Sequence, residues 1–237
     1  MTKFNVDSFE LVTPEVCLAE NEFFDFNHPL VREFAARHGG GFDNDKARAV
    51  ALYYAVRDEI RYNPYSIELS IDGMRASTTI EKGEGFCISK GVLLAAVLRA
   101  YDIPSRLGFA DVKNHLASQR LLDQMGSELF VYHGYTDVYL DGKWVKATPA
   151  FNIELCEKFG VLPLEFDGEN DSIFHAFDKG GRQHMEYVND HGVFETLPLD
   201  EISRSFRDTY PTMADVWVTG SGEGDMGAEF EVENRAD

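Results

Sequence analysis

Two residues in this chain are spaced to supply a nucleophile and its proton carrier. Cys87 opens a long apolar helical pattern in Gly83-Glu84-Gly85-Phe86-Cys87-Ile88-Ser89-Lys90-Gly91-Val92-Leu93-Leu94, which runs on to about Tyr101. His133 stands downstream on an alternating, β-prone stretch that enters a tight hairpin. A thiol at a helix N-terminus meets unpaired backbone N–H groups and the positive end of the macrodipole. Both predict a lowered pKa and a thiolate. A nearby imidazole would complete the activation. The competing reading is a structural thiol, because free Cys is among the most buried residue types.

The elements that must position this pair are readable to different degrees. The Cys87 helix is apolar almost all round, so it belongs in the middle of a fold. Phe130–Leu140 alternates and is rich in β-formers, Asp141-Gly142 is a two-residue turn signal, and Lys143–Thr148 returns. Alternation puts Val131, His133, Tyr135, Asp137 and Tyr139 on one face. Counting from a Leu140–Lys143 pair, Tyr135 lies opposite Thr148 and His133 opposite Ala150, which makes Thr148 the diagonal neighbour of His133. Asp137 shares the face but sits roughly 13 Å along the strand, too far to orient the imidazole.

Around this centre the pattern predicts a helix over Pro29–His38 and a second, capped by Asp43, Asn44 or Asp45, running to about Arg61. Asn63-Pro64 stops it. Residues 65–82 read as loop and short turns, Leu107–Val112 as a strand, and 113–127 as a helical excursion. Further strands are expected at Phe9–Thr13, near Ser172–Phe177 and near Met185–Val188, with a helix over Leu199–Asp208. The Gly- and acid-rich stretch from Ser221 reads as a flexible tail. Trp144, on the hairpin, is expected in the core.

Composition narrows the function classes. The 237 residues carry 22 basic and 41 acidic side chains, a net charge of −19. Such a chain repels phosphate backbones, so nucleic-acid binding is not expected. Cys17, Cys87 and Cys156 form no CxxC, and three thiols suggest no disulfide framework. Cys17 and Cys156 read as buried structural thiols, and a reducing cytoplasm is the expected location. No secretory signal or membrane-length apolar run is visible. His115, His175, His184 and His191 lack HxxxH or HExxH spacing and read as surface residues, so neither a metal nor another cofactor is expected. Gly83-Glu84-Gly85 lacks the Gly-Lys-Ser/Thr of a phosphate loop. No interface signature fixes the oligomeric state.

Two segments carry a family resemblance. Gly85-Phe86-Cys87 through Leu93-Leu94-Ala95-Ala96-Val97-Leu98-Arg99-Ala100 to Ile103-Pro104-Ser105-Arg106 resembles the Cys segment of the transglutaminase-like superfamily. His133-Gly134-Tyr135-Thr136-Asp137-Val138-Tyr139-Leu140-Asp141-Gly142-Lys143-Trp144-Val145 resembles its His segment, and Val56-Arg57-Asp58-Glu59-Ile60-Arg61-Tyr62 the preceding helix. The resemblance implies an α+β, papain-like transglutaminase core over 45–152, with the Cys-bearing helix packed on an antiparallel sheet. Residues 1–44 would be an N-terminal decoration, 153–220 an extension of the same domain, and 221–237 the tail.

The chemistry the resemblance implies is acyl transfer through a Cys87 thioester on a peptide or protein amide, with His133 moving the proton. Phe86 and Tyr135 are expected to line the substrate cleft. The chain departs from the family at the third catalytic position. There, Thr148 followed by Pro149 stands in place of Asp, and Asn152 just beyond is a second candidate to orient His133. The departure leaves a second reading open, a catalytically reduced domain that acts as a binding or scaffold module. A metal-dependent hydrolase is a distant third.

Overall fold

A computed structural model describes residues 13–115, 117–174, 180–181, 184–213, 216–217, 222 and 224. The strand expected at Phe9–Thr13, the end of the one expected over Ser172–Phe177, and nearly all of the tail lie outside them.

The architecture is a helical layer packed on one face of an antiparallel sheet. Helices α1 (Pro29–Gly39), α2 (Asp45–Glu59) and α3 (Ala76–Lys82) surround α4 (Cys87–Arg99). Strands β3 (Ser105–Asn114), β4 (Leu129–Leu140), β5 (Lys143–Ala147) and β6 (Met185–Phe194) form a sheet in the order β5-β4-β3-β6. A short parallel pair, β1 (Arg61–Tyr62) with β2 (Glu84–Gly85), joins the end of α2 to the residues just before Cys87. Helices α5 (Gln119–Met125), α6 (Ile153–Phe159) and α7 (Leu199–Thr209) complete the fold.

Local chemistry sets the helix ends. Asn44 Oδ1 accepts the Ala47 N–H at 2.8 Å and starts α2, and Ser118 Oγ accepts the Leu121 N–H at 3.2 Å and starts α5. The hairpin turn takes φ of 50° at Asp141 and 84° at Gly142, the left-handed pair that a two-residue connection needs. The register follows, with Leu140 opposite Lys143 and Thr136 opposite Ala147.

Every residue of α4 is buried, including Lys90 and Arg99. Both side chains donate to backbone carbonyls. Lys90 Nζ donates to Arg57 O at 2.9 Å and Ile60 O at 2.5 Å, where α2 ends. Arg99 donates to the carbonyls of Ala19, Ser105 and Glu195. The Gly91 carbonyl accepts from Thr136 Oγ1 of β4 at 2.9 Å.

Four expectations need correction. The stretch 65–82 holds the helix α3, and α6 follows the hairpin where no element was predicted; both are single short helices without room for a periodic pattern. Trp144 is half-buried, not core, because it sits under the Arg106 guanidinium, 3.9 Å from its ring, on the outer side of the sheet. The strand near Met185 extends to Phe194.

Candidate active site

The β1–β2 pair and the Phe86 N-cap hold the start of α4 in place. Asn63 N–H donates to Gly85 O at 2.9 Å, and Phe86 N–H donates to Ser89 Oγ at 3.1 Å. Cys87 is 7% exposed. Backbone N–H groups of Gly134, Ile88 and Cys87 itself favour its thiolate, but burial outweighs them and pushes the thiol up to about 11. This corrects the expected thiolate: the helix terminus acts as predicted, and the dry surroundings cost the charge more.

His133 is 5% exposed. Its neighbours Gly134 and Thr136 face α4, so His133 begins the opposite face. A bulge aims it. Ala110 pairs with His133, yet two residues on, Val112 pairs with Phe130, so β4 carries one residue more than β3. Tyr132 absorbs that residue with φ of 53°. Asp111 Oδ1 accepts the Tyr132 N–H at 3.0 Å and lies 2.6 Å from His191 Nε2, and the His191 ring stacks on Tyr132 at 4.0 Å. From the other side, Tyr210 Oη accepts the Val131 N–H at 2.7 Å and donates to Leu129 O at 2.8 Å.

The His133 ring meets Phe174 edge-on, with centroids 4.9 Å apart. Its Nε2 is buried and has no hydrogen-bond partner among the described residues. Burial, and then the nearby His184, push its pKa down to about 4. The thiol and the imidazole therefore share one apolar cavity as neutral groups. No hydrogen bond joins them among the described residues. Tyr62 and Tyr210 border the same cavity, and burial together with Cys87 raises the pKa of both phenols.

The other expected site residues are placed as follows. Phe86 lines the cavity. Tyr135 does not. It stands farther along β4 under Lys146, whose Nζ lies 4.8 Å from its ring centre, in an open groove shared with Tyr187 and Asp190. Thr148 is buried, and its carbonyl accepts from Tyr53 Oη at 3.1 Å. Asn152 Oδ1 accepts the Tyr62 N–H at 3.1 Å, so it braces β1 beside Cys87. Neither Thr148 nor Asn152 bonds His133 Nε2. Asp137 pairs with Arg106 at 2.9 Å, in keeping with its distance from His133.

Sequence reasoning missed His184, His191, Tyr62, Tyr210 and Trp217. His184 is buried against Phe151 and Phe174, and His191 is partly buried beside Asp111, so neither is a surface residue. His115 is exposed as expected, and His175 lies outside the described residues. An Asn152-to-Tyr62 bond spans 90 positions, and no local pattern signals it. Among the described residues, no three His, Cys, Asp or Glu side chains are arranged to hold a metal, and no helix is long and apolar enough to cross a membrane.

Residues 32–149 match the transglutaminase-like superfamily, a span that contains α4, the β4–β5 hairpin and both Cys87 and His133. The chain belongs to this superfamily. Its α+β fold is the papain-like transglutaminase core, with the Cys-bearing helix on an antiparallel sheet. A solved structure from Cytophaga hutchinsonii, named provisionally as a cysteine protease, aligns over 75% of the chain at 16% identity and a TM-score of 0.44. The chain spans about half of that protein, 53% of its length. No curated protein matches the sequence.

Proposed function

We infer that this transglutaminase-like chain is a Cys-dependent acyl-transfer enzyme that hydrolyses amides or peptides through a Cys87 thioester. The observation that carries this reading is the single cavity lined by both Cys87 and His133, with the sulfur at the mouth of α4. In the first step the Cys87 S–H proton passes to neutral His133 as the S–C bond forms. The proton then passes to the departing amine as the C–N bond breaks. Water, deprotonated by His133, attacks the thioester and releases the acid and the thiol. Backbone N–H groups at the start of α4 are available to the oxyanion. The neutral resting pair is compatible with this sequence, because His133 acts as a base only when substrate arrives.

A concrete test is hydrolysis of a panel of peptide and amide substrates by the wild-type protein, Cys87→Ser and His133→Ala. Turnover confined to the wild type, with a thioester on Cys87 seen by intact mass, is the expected result. Equal turnover by Cys87→Ser, or no turnover at all, sinks the reading.

A second reading, a catalytically reduced domain that binds other proteins, is favoured by one observation: His133 Nε2 has no partner among the described residues. Thr148→Asp separates the two. Activity that appears only in the Asp variant marks the natural chain as a binder. Activity in the parent marks it as an enzyme that works without the third group.

A further inference from the structure

The cavity beside Cys87 is closed on one side by residues beyond the family match. Helix α7 and the segment after it supply Phe206, Tyr210 and Trp217. These three rings pack on each other, with centroids 5.1 to 5.4 Å apart. They are fastened to the core at defined points. Tyr210 Oη holds the backbone of β4 next to His133, and Trp217 O accepts the Leu69 N–H at 2.9 Å. Leu121 and Met125 of α5 add aliphatic surface.

The cavity is small, about 40 Å³, and part of it opens to solvent. Among the described residues that line it there is no Asp, Glu, Lys or Arg. That is notable in a chain with 41 acidic residues. A charged group entering here would lose its hydration and find no countercharge, at a cost that outweighs any packing gain. An uncharged branched or aromatic group would exchange water for contacts with the rings.

We propose that this cavity receives the acyl side of the substrate as a compact, uncharged, apolar group, branched or aromatic, and that Phe206 and Trp217 set the size it accepts. The inference rests on the reading of Cys87 as the acylated residue. It adds a substrate class, and it makes the C-terminal segment a specificity element.

The test uses the full-length protein and p-nitrophenyl esters of N-acetylated Phe, Leu, Ala, Glu and Lys, with acylation of Cys87 read by intact mass. The Phe and Leu esters should acylate about tenfold or more faster than the Glu and Lys esters. Phe206→Ala and Trp217→Ala should shift the preference toward a larger, naphthyl-bearing ester. Phe206→Leu serves as a milder variant if either Ala form fails to fold. Equal rates for charged and apolar esters, or an unchanged preference in a folded variant, overturn the proposal. A parallel arm measures binding of N-acetyl-phenylalaninamide, N-acetyl-leucinamide and N-acetyl-lysinamide to Cys87→Ala by calorimetry. If no ester acylates Cys87, the catalytic reading fails, and the binding arm still decides the pocket. Selective binding of the apolar amides upholds it, and equal or absent binding overturns it.

Discussion

Asp111 holds Tyr132 in a left-handed conformation directly before His133, which borders the same cavity as Cys87. The Asp111 Oδ1 acceptor meets the Tyr132 N–H at 3.0 Å, and the same carboxylate contacts His191, whose ring covers Tyr132. A bulky residue at φ of 53° is strained and persists only where its surroundings hold it. Asp111→Ala leaves a buried N–H unpaired, which costs about 1–3 kcal/mol. Urea unfolding should show that loss, and acylation of Cys87 should fall further than stability alone explains. Asp111→Asn keeps an acceptor for Tyr132 and drops the charge facing His191, so it should restore most of the acylation. An Asn variant as impaired as the Ala variant would assign the effect to the His191 contact instead.

The reactivity of Cys87 should rise with pH through the neutral range. Burial pushes its thiol up to about 11, so the thiolate fraction grows about tenfold per pH unit below that value. Iodoacetamide labelling of the free protein, followed by peptide mass mapping, should be slow at pH 7 and climb steadily to pH 10. A plateau already reached at pH 7 would mean that the helix terminus and its N–H groups win over burial.

His184 should be felt in the titration of His133. Burial and His184 both press the imidazole below its ordinary 6.5, to about 4. Between those values the unfolded chain takes up a proton at this position and the folded chain does not. The contribution of His133 to stability is thus full above pH 6.5 and is lost as pH falls toward 4. His184→Gln removes the repulsive neighbour but not the burial. NMR titration of His133 should show a rise that stops short of 6.5, and acid unfolding should begin at lower pH. An unmoved His133 would make desolvation the whole cause.

Much of the frame was legible because its signals are local. The apolar run from Ile88 to Leu98, the Asp141-Gly142 turn and the Asn44 cap each act within a few residues, and the helix, hairpin and register follow from them. The immediate surroundings of the pair were not legible. Whether Cys87 is a thiol or a thiolate depends on how fully the cavity is closed, and α7 and Trp217, distant in sequence, close it. The alternation rule placed Tyr135 and His133 on one face, but it could not show the bulge at Tyr132, or that His133 borders the cavity while Tyr135 borders the outer groove. The partners expected for His133 met the same limit. Asn152 is drawn to the Tyr62 backbone by a bond that only the folded chain creates.

Lys90 offers a test of the buried charge in the central helix, three positions after Cys87. Its ammonium group is fully buried and donates to Arg57 O and Ile60 O, carbonyls at the negative end of α2. Desolvation lowers its pKa from 10.5 to about 7, against a smaller opposing pull from Asp58. Between pH 7 and 10.5 the unfolded chain therefore carries a proton that the folded chain has released. Stability gains about 1.4 kcal/mol per pH unit from this residue across that window and nothing more above it. Lys90→Met has no such term. The stability difference between wild type and Lys90→Met, from urea unfolding at pH 7, 8 and 9, should shift steadily in favour of the wild type as pH rises. A difference that does not change with pH would show that the two carbonyls and the α2 dipole keep Lys90 protonated inside the fold. Lys90 would then be a permanent charge beneath the nucleophile.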